Sequence, residues 1–276
     1  AAVIIIAVPA SVAVPRLLSD RPDGAARRVC AFFNPAGTAV VLLAESADRA
    51  LTLRDLEAQY HRFILTEPSL ARHLATDGPG VRYTGSCRAL TNCIPASNAA
   101  ITIWTLSTTG EVQRVQRKGA AVTRVSFGAW TVSYDADLLD RLATMRHAKL
   151  PNETGGVLLG IADMSRQSVH IAHALPAPAD SCASQTGFER GVADLAGQVS
   201  AAVAATLYQL RYLGEWHSHP DRASAMPSST DIVQLLWLGQ ELENEGLPGL
   251  MAIAAQDGHF TFAVSGAGLT DAGGAS

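Results

Sequence analysis

Several protein classes are set aside by what the chain lacks. Its 276 residues hold 4 cysteines, Cys30, Cys87, Cys93 and Cys182, with no Cys-x-x-Cys pair among them. A disulfide framework is not expected in so large a chain, and a reducing cytoplasm is the expected compartment. Charged residues are 17% of the total and the formal net charge is −4, so nothing overall attracts nucleic acid. No apolar run reaches bilayer length; residues 1–14 are too short, broken by proline, and without the basic start of a signal peptide. No glycine-rich nucleotide loop occurs before residue 80, so productive ATP binding is not expected. No internal repeat is present. The first residue is not Met, in keeping with a piece of something longer.

What remains is enough for cores. Hydrophobic residues make up 48%, which suits one large or two modest domains. Residues 1–128 carry 14 Lys and Arg against 9 Asp and Glu, while 129–276 carry 7 against 16. That asymmetry supports two parts, 1–128 and 129–276, and an electrostatic contact between them.

In the first part, residues 3–8 read as a buried strand of a parallel sheet, 29–33 and 39–44 as strands and 53–65 as an amphipathic helix. Residues 76–86 are rich in turns, and a small-residue helix is expected from Pro95 to about Thr105. In the second part, strands are expected at 130–134, 157–161, 168–175, 212–216, 249–255 and 260–264. Helices are expected up to His147, capped by Asp135 or Asp137, over 194–210, and from Ser228 onward. Residues 265–276 read as a loose tail. The fold class is therefore α/β or mixed α+β.

The chemistry concentrates in 15 residues, His217 to Asp231. His217 and His219 stand two apart at the end of a strand and so face one side. Pro220, lacking a backbone donor, ends the ladder. A polar loop follows, and Ser228 opens a helix that brings Asp231 back over the strand end. Two imidazoles and a carboxylate are a common ligand set for catalytic zinc, which keeps a fourth position open. Ser228 with Asp231 three residues on also reads as a helix cap, which by itself explains both residues.

This pattern, His-x-His-Pro, seven residues, then Ser-x-x-Asp, resembles the JAMM signature of JAB/MPN-domain metalloproteases. No position departs from it, and the resemblance covers about residues 130–265. It implies a JAB/MPN-type, cytidine-deaminase-like sheet with flanking helices, binding Zn2+ through His217, His219 and Asp231. The family's upstream glutamate falls on Glu153, ahead of Gly155-Gly156-Val157-Leu158-Leu159-Gly160. Zinc lowers the pKa of water to about 7, yet a nearby base must still carry the proton. Glu153 is expected in that role; Glu215 and Asp221 are competitors, Glu215 alternatively supporting a ligand or being a buried structural acid. Ser228 is expected to donate a hydrogen bond to the oxyanion rather than to act as a nucleophile. Trp216 reads as core, as do His170 and His173 unless exposed, with His259 likewise. Phe188 and Arg190, in a loop before the helix expected over 194–210, are candidates to touch a substrate tail.

Tyr83-Thr84-Gly85-Ser86-Cys87-Arg88, with Thr91-Asn92 and Ile94-Pro95-Ala96-Ser97, resembles the end of bacterial ThiF-like adenylating domains. Residues 1–128 then form the carboxyl-terminal portion of such a domain, a partial α/β segment. Cys87 beside Arg88 is a possible thioester cysteine, since a cation lowers a thiol pKa, with a plain buried or exposed thiol as the alternative. Together the resemblances imply a zinc metallopeptidase, an isopeptidase acting on a ubiquitin-like protein and its conjugates in a bacterial conjugation pathway. A cognate conjugating enzyme is a further expected partner, whereas nucleic acid and membrane are not. Two alternatives stay open: a protease of sulfur-carrier ubiquitin-like proteins in cofactor or siderophore biosynthesis, and a non-catalytic MPN scaffold.

Overall fold

A computed structural model describes residues 3–7, 26–75, 100–106 and 112–272. The chain divides into two compact units, Ala1–Ala121 and Val122–Ser276. In the first, β1 (Val3–Ala7) pairs in parallel with β2 (Arg27–Phe33), the parallel pairing expected of the apolar opening. Strand β3 (Ala39–Ala44) returns antiparallel, and α1 (Leu53–Thr66) packs on the sheet behind a capping box of Thr52 and Asp55. Strands β4 (Ala100–Leu106) and β5 (Val112–Lys118) complete the order β1-β2-β3-β4-β5.

Strand β4 corrects the small-residue helix expected up to Thr105. Ile101 and Ile103, both buried, alternate at period two between β3 and β5, and cross-strand burial overrides the helix preference of the alanines before them. Residues 76–99, with Cys87, Cys93 and the segment resembling ThiF-like domains, lie outside the described residues.

The second unit is α+β. It contains β6 (Val122–Phe127), β7 (Trp130–Asp135), α2 (Ala136–His147), β8 (Gly155–Asp163), β9 (Ser168–Ala174), β10 (Cys182–Ser184) and β11 (Gly187–Glu189). It continues with α3 (Leu195–Ala205), β12 (Arg211–Ser218), α4 (Ser229–Glu243), β13 (Leu250–Ala254), β14 (Phe260–Val264) and β15 (Gly268–Ala272). Eight strands form one mixed sheet in the order β15-β14-β13-β12-β8-β9-β7-β6, and β10-β11 is a separate hairpin. The hairpin β6–β7 starts this unit at Val122, ahead of residue 128.

Two expectations are corrected here. Residues 268–272 are not a loose tail but an antiparallel partner of β14, because an edge strand with open N–H and C=O groups is a ready template for pairing. The third helix stops at Ala205 rather than running to Leu210, since Leu207 and Tyr208 take left-handed backbone conformations, φ 49° and 61°.

The larger core lies on the face covered by α2. Leu138 and Leu142 of α2 pack with Trp216, Leu158, Ile171 and Phe262, and Tyr134 stacks on Phe262 at 4.2 Å between ring centroids. Each such side chain contributes roughly 1.5–3 kcal/mol of burial. On the other face, Leu235 of α4 packs with Met251, Ile253 and Ala263. Trp216 of β12 points into the first core, so alternation turns its neighbours Glu215 and His217 toward α4. Gly156 keeps β8 close at this point: a Cβ there would come within 2.0 Å of the Leu175 carbonyl, which accepts the Trp216 indole N–H at 2.9 Å. No described helix is long and apolar enough to cross a membrane.

Candidate active site

Strand register builds the site. His217 on β12 lies opposite Gly155 on antiparallel β8. One step further, the Ser218 N–H donates to the Thr154 carbonyl at 2.7 Å and the Thr154 N–H donates to Ser218 Oγ at 3.0 Å. The next residues along the two chains are His219 and Glu153. The carboxylate is therefore carried to the second histidine by the same ladder that aligns the strands.

His219 lies beyond the last paired residue and is pinned from three sides. Its N–H donates to the Ala254 carbonyl at 2.9 Å. Its carbonyl accepts from Arg146 Nε at 2.9 Å, and the guanidinium of this buried arginine also binds Asp221 Oδ1 at 2.5 Å. Its ring Nδ1 faces the Ser224 carbonyl at 2.5 Å. A carbonyl only accepts, so Nδ1 donates to it, and Nε2 is the ring nitrogen left to face Asp231.

Asp231 arrives from α4. Ser228 is the N-cap: its Oγ accepts from the Asp231 N–H at 3.2 Å, and Asp231 Oδ2 accepts from the Ser228 N–H at 2.7 Å. The cap expected from sequence and the converging ligand set are thus one arrangement, because the cap aims the carboxylate. His217 Nε2 lies 3.3 Å from Asp231 Oδ1, His219 Nε2 lies 3.7 Å from Oδ2, and the two Nε2 atoms are 3.2 Å apart.

Those separations test the donor set against zinc. Tetrahedral bonds of about 2.0–2.1 Å place neighbouring ligand atoms about 3.3–3.4 Å apart, and 3.2, 3.3 and 3.7 Å meet that spacing with little adjustment. The charges of these groups depend on one another. Burial alone would raise the Asp231 carboxyl, but hydrogen bonds from His217 and His219 outweigh it and hold the group well below the usual carboxylate range. His219 is raised, first by its bond to Asp231, with burial opposing. Glu153 is raised by burial, against the pull of His219 and His217.

All four side chains line one cleft of about 650 Å³, whose walls include Phe188, Arg190, Glu215, Ser228 and Gln234. The loop expected around residues 178–191 is the β10–β11 hairpin, and it forms one wall. Its Ser184 carbonyl accepts the Glu153 N–H at 2.8 Å. Asp180 closes its base by accepting from the N–H groups of Val192 and Ala193. Arg190 binds Glu215 Oε1 through Nε and Nη2 at 3.1 and 2.7 Å, and Gln234 donates to Glu215 Oε2 at 2.6 Å. The two competing acids are thus both engaged, Glu215 with Arg190 and Gln234, and Asp221 with Arg146.

Trp216, His170 and His173 are buried, and His259 is exposed. Cys182 is exposed, while Cys30 is buried and its thiol is pushed up to about 11, first by burial and then by Glu57. Sequence reasoning missed Arg146, Ser224 and Gln234, and also Tyr212, whose hydroxyl donates to Glu215 Oε1 at 3.4 Å. Gln234 carried one usable signal, its position three residues after Asp231 on the same helix.

Fold and site define a class: an α+β domain in which a strand end and a helix N-terminus present a His, His, Asp triad to a cleft that also holds a carboxylate. Residues 135–263 match the family of prokaryotic homologs of the JAB domain. A curated relative, the CD-NTase/cGAS isopeptidase of Enterobacter hormaechei subsp. hoffmannii, is 31% identical over 145 residues, covering 52% of this chain and 78% of that protein. The chain belongs to the JAB-domain family. A solution structure of a protein from Desulfitobacterium hafniense is similar at 16% identity and a TM-score of 0.34, over 50% of this chain and 87% of that one.

Proposed function

We propose that the chain is a zinc-dependent isopeptidase that hydrolyses the bond between the carboxyl-terminal tail of a ubiquitin-like protein and its target, in the cytoplasm of a bacterium. One observation carries this reading: three ligand-type atoms within 4.8 Å of one another, beside a non-ligand glutamate in the same cleft. His217, His219 and Asp231 would hold the zinc. When bound it supplies Lewis acidity, which brings the pKa of water to about 7.

The remaining work falls to side chains of this chain. Glu153 takes the proton of the attacking water on a carboxylate oxygen and returns it to the leaving amine; burial, by raising its pKa, makes it the better base. Ser228 Oγ accepts from the Asp231 N–H through a lone pair, so its own proton stays available to the developing oxyanion. The β10–β11 hairpin holds the Glu153 backbone and forms the wall along which an extended tail lies. The full triad and Glu153 weigh against a non-catalytic scaffold.

The relative is named a CD-NTase/cGAS isopeptidase, which supports a second choice of substrate protein, a CD-NTase. The test is mass spectrometry of two carboxyl-terminal fusions, one of a ubiquitin-like protein and one of a CD-NTase, incubated with the zinc-loaded chain with and without chelator. Cleavage directly after the tail, abolished by chelator and restored by zinc, is expected. Chelator-insensitive cleavage, or none with either fusion at full zinc occupancy, removes the reading.

A further inference from the structure

The helix that supplies Ser228 and Asp231 has a second face that the chemistry does not use. Its inner side is occupied, Asp231 in the site and Leu235, Leu238 and Leu242 buried. Its outer side carries Val233, Leu236 and Trp237, which are 67, 54 and 50% exposed. Positions i, i+3 and i+4 form one continuous stripe on a helix. Single exposed apolar residues are ordinary, but a contiguous stripe containing a tryptophan marks an interaction surface.

Charge says what kind of partner fits. Residues 229–245 contain no lysine or arginine, and Glu241 and Glu243 are exposed in the last turns of the helix. Carboxylates there face the negative end of the helix dipole, an unfavourable arrangement. A basic partner offsets that cost. The same unit of a second copy does not, because residues 122–276 carry 8 Lys and Arg against 16 Asp and Glu, so two such units repel. Position narrows the choice further. Thr230 and Gln234 line the cleft while Val233 belongs to the stripe, and at about 1.5 Å rise per residue Trp237 lies only about 9 Å along the axis from Asp231. A protein whose tail is held at the site is thereby brought onto this face.

We propose that the outer face of α4 is the docking site for the folded body of the protein whose tail enters the cleft, met through an apolar patch rimmed by lysine or arginine. This rests on the isopeptidase reading and adds to it the surface that recognises the modifier.

The experiment compares substrates with and without that body. The probes are the ubiquitin-like and CD-NTase fusions, each paired with a peptide of its last eight residues joined to the same extension; zinc-loaded Glu153→Gln protein is used for direct binding by calorimetry. Trp237→Ala and Leu236→Glu are expected to raise KM, and Kd in the Glu153→Gln background, at least 10-fold for the folded fusion that is cleaved, leaving its peptide unchanged. Glu241→Lys with Glu243→Lys is expected to weaken the same binding at low salt, an effect that fades as salt is raised. Equal losses on fusion and peptide, or no loss on either, overturn the proposal. So does a wild-type dimer in sedimentation that Trp237→Ala dissociates, or a stripe that resists labelling in the isolated wild-type chain because another part of it covers the face. Failure of the isopeptidase reading looks different, since the wild-type protein then cleaves neither probe; binding of the fusions to the Glu153→Gln protein still decides whether the stripe docks a folded body.

Discussion

Each unit buries a carboxylate, and the two are used in opposite ways. Glu45 in the first unit is completely buried, and its oxygens accept from the N–H groups of Leu53 and Arg28 and from Arg49 Nε, all at 3.1 Å. Burial raises its pKa and the backbone donors pull it back. Those bonds tie β2, the end of β3 and the start of α1 together. Asp231 in the second unit accepts one backbone bond, from Ser228, and turns the rest of its acceptor capacity toward two imidazoles. A buried acid whose lone pairs are spent on local donors is architecture. One that converges with two imidazoles on a cleft is chemistry.

The sharpest way to break this contrast is at Asp231 itself. Asp231→Asn is expected to lose bound zinc, measured by mass spectrometry of the metal, and with it all hydrolysis. Glu153→Gln is expected to keep zinc at wild-type stoichiometry while kcat falls about 10²–10⁴-fold, the usual contribution of a positioned general base. If both variants lose metal equally, Glu153 is a ligand or a structural acid and leaves the role of base.

Ser228→Ala separates the two uses of one hydroxyl. Loss of the oxyanion donor is expected to lower kcat about 10²–10³-fold, while loss of the cap lowers stability by about 1 kcal/mol. Ser228→Thr keeps a hydroxyl and should recover most of both. A variant that loses stability alone would reduce Ser228 to a cap. In the first unit, Glu45→Ala is expected to cost about 3 kcal/mol in thermal or denaturant unfolding, because it strands buried donors, with kcat of the folded protein unchanged. A change in kcat without a change in stability would sink the architectural role.

How much of this was readable beforehand follows from sequence distance. His217, His219, Ser228 and Asp231 fall within 15 residues, and strand alternation plus a helix cap are local rules, so the triad could be read from spacing. Glu153 needed the resemblance, because only the β8–β12 register carries it across to His219. Arg146 lies 73 residues before the carbonyl it holds, and Arg190 lies 25 before Glu215; no local pattern encodes either partner. Strand β4 and the β10–β11 hairpin failed for another reason. The small and polar residues of the hairpin carry weak intrinsic preferences, so pairing decided its form, whereas in β4 the β-branched and aromatic run Ile101-Thr102-Ile103-Trp104-Thr105 prevails over the alanines before it.

The smallest expected effect contrasts histidines instead of acids. His219 is raised by its bond to Asp231, whereas His73 in the first unit is buried beside the Tyr60 hydroxyl at 3.0 Å and pushed down to about 4 by burial. The unfolded chain binds a proton at His73 below its ordinary value of about 6.5, and the folded chain refuses it until about pH 4. Stability is therefore complete above pH 6.5, declines as pH falls between those two values, and levels off below about pH 4. The loss is at most about 3 kcal/mol. Denaturant unfolding of wild type and of His73→Gln across this window measures it, with the variant losing about one proton's worth of slope. Parallel slopes in the two proteins would mean that His73 takes up its proton without leaving the fold.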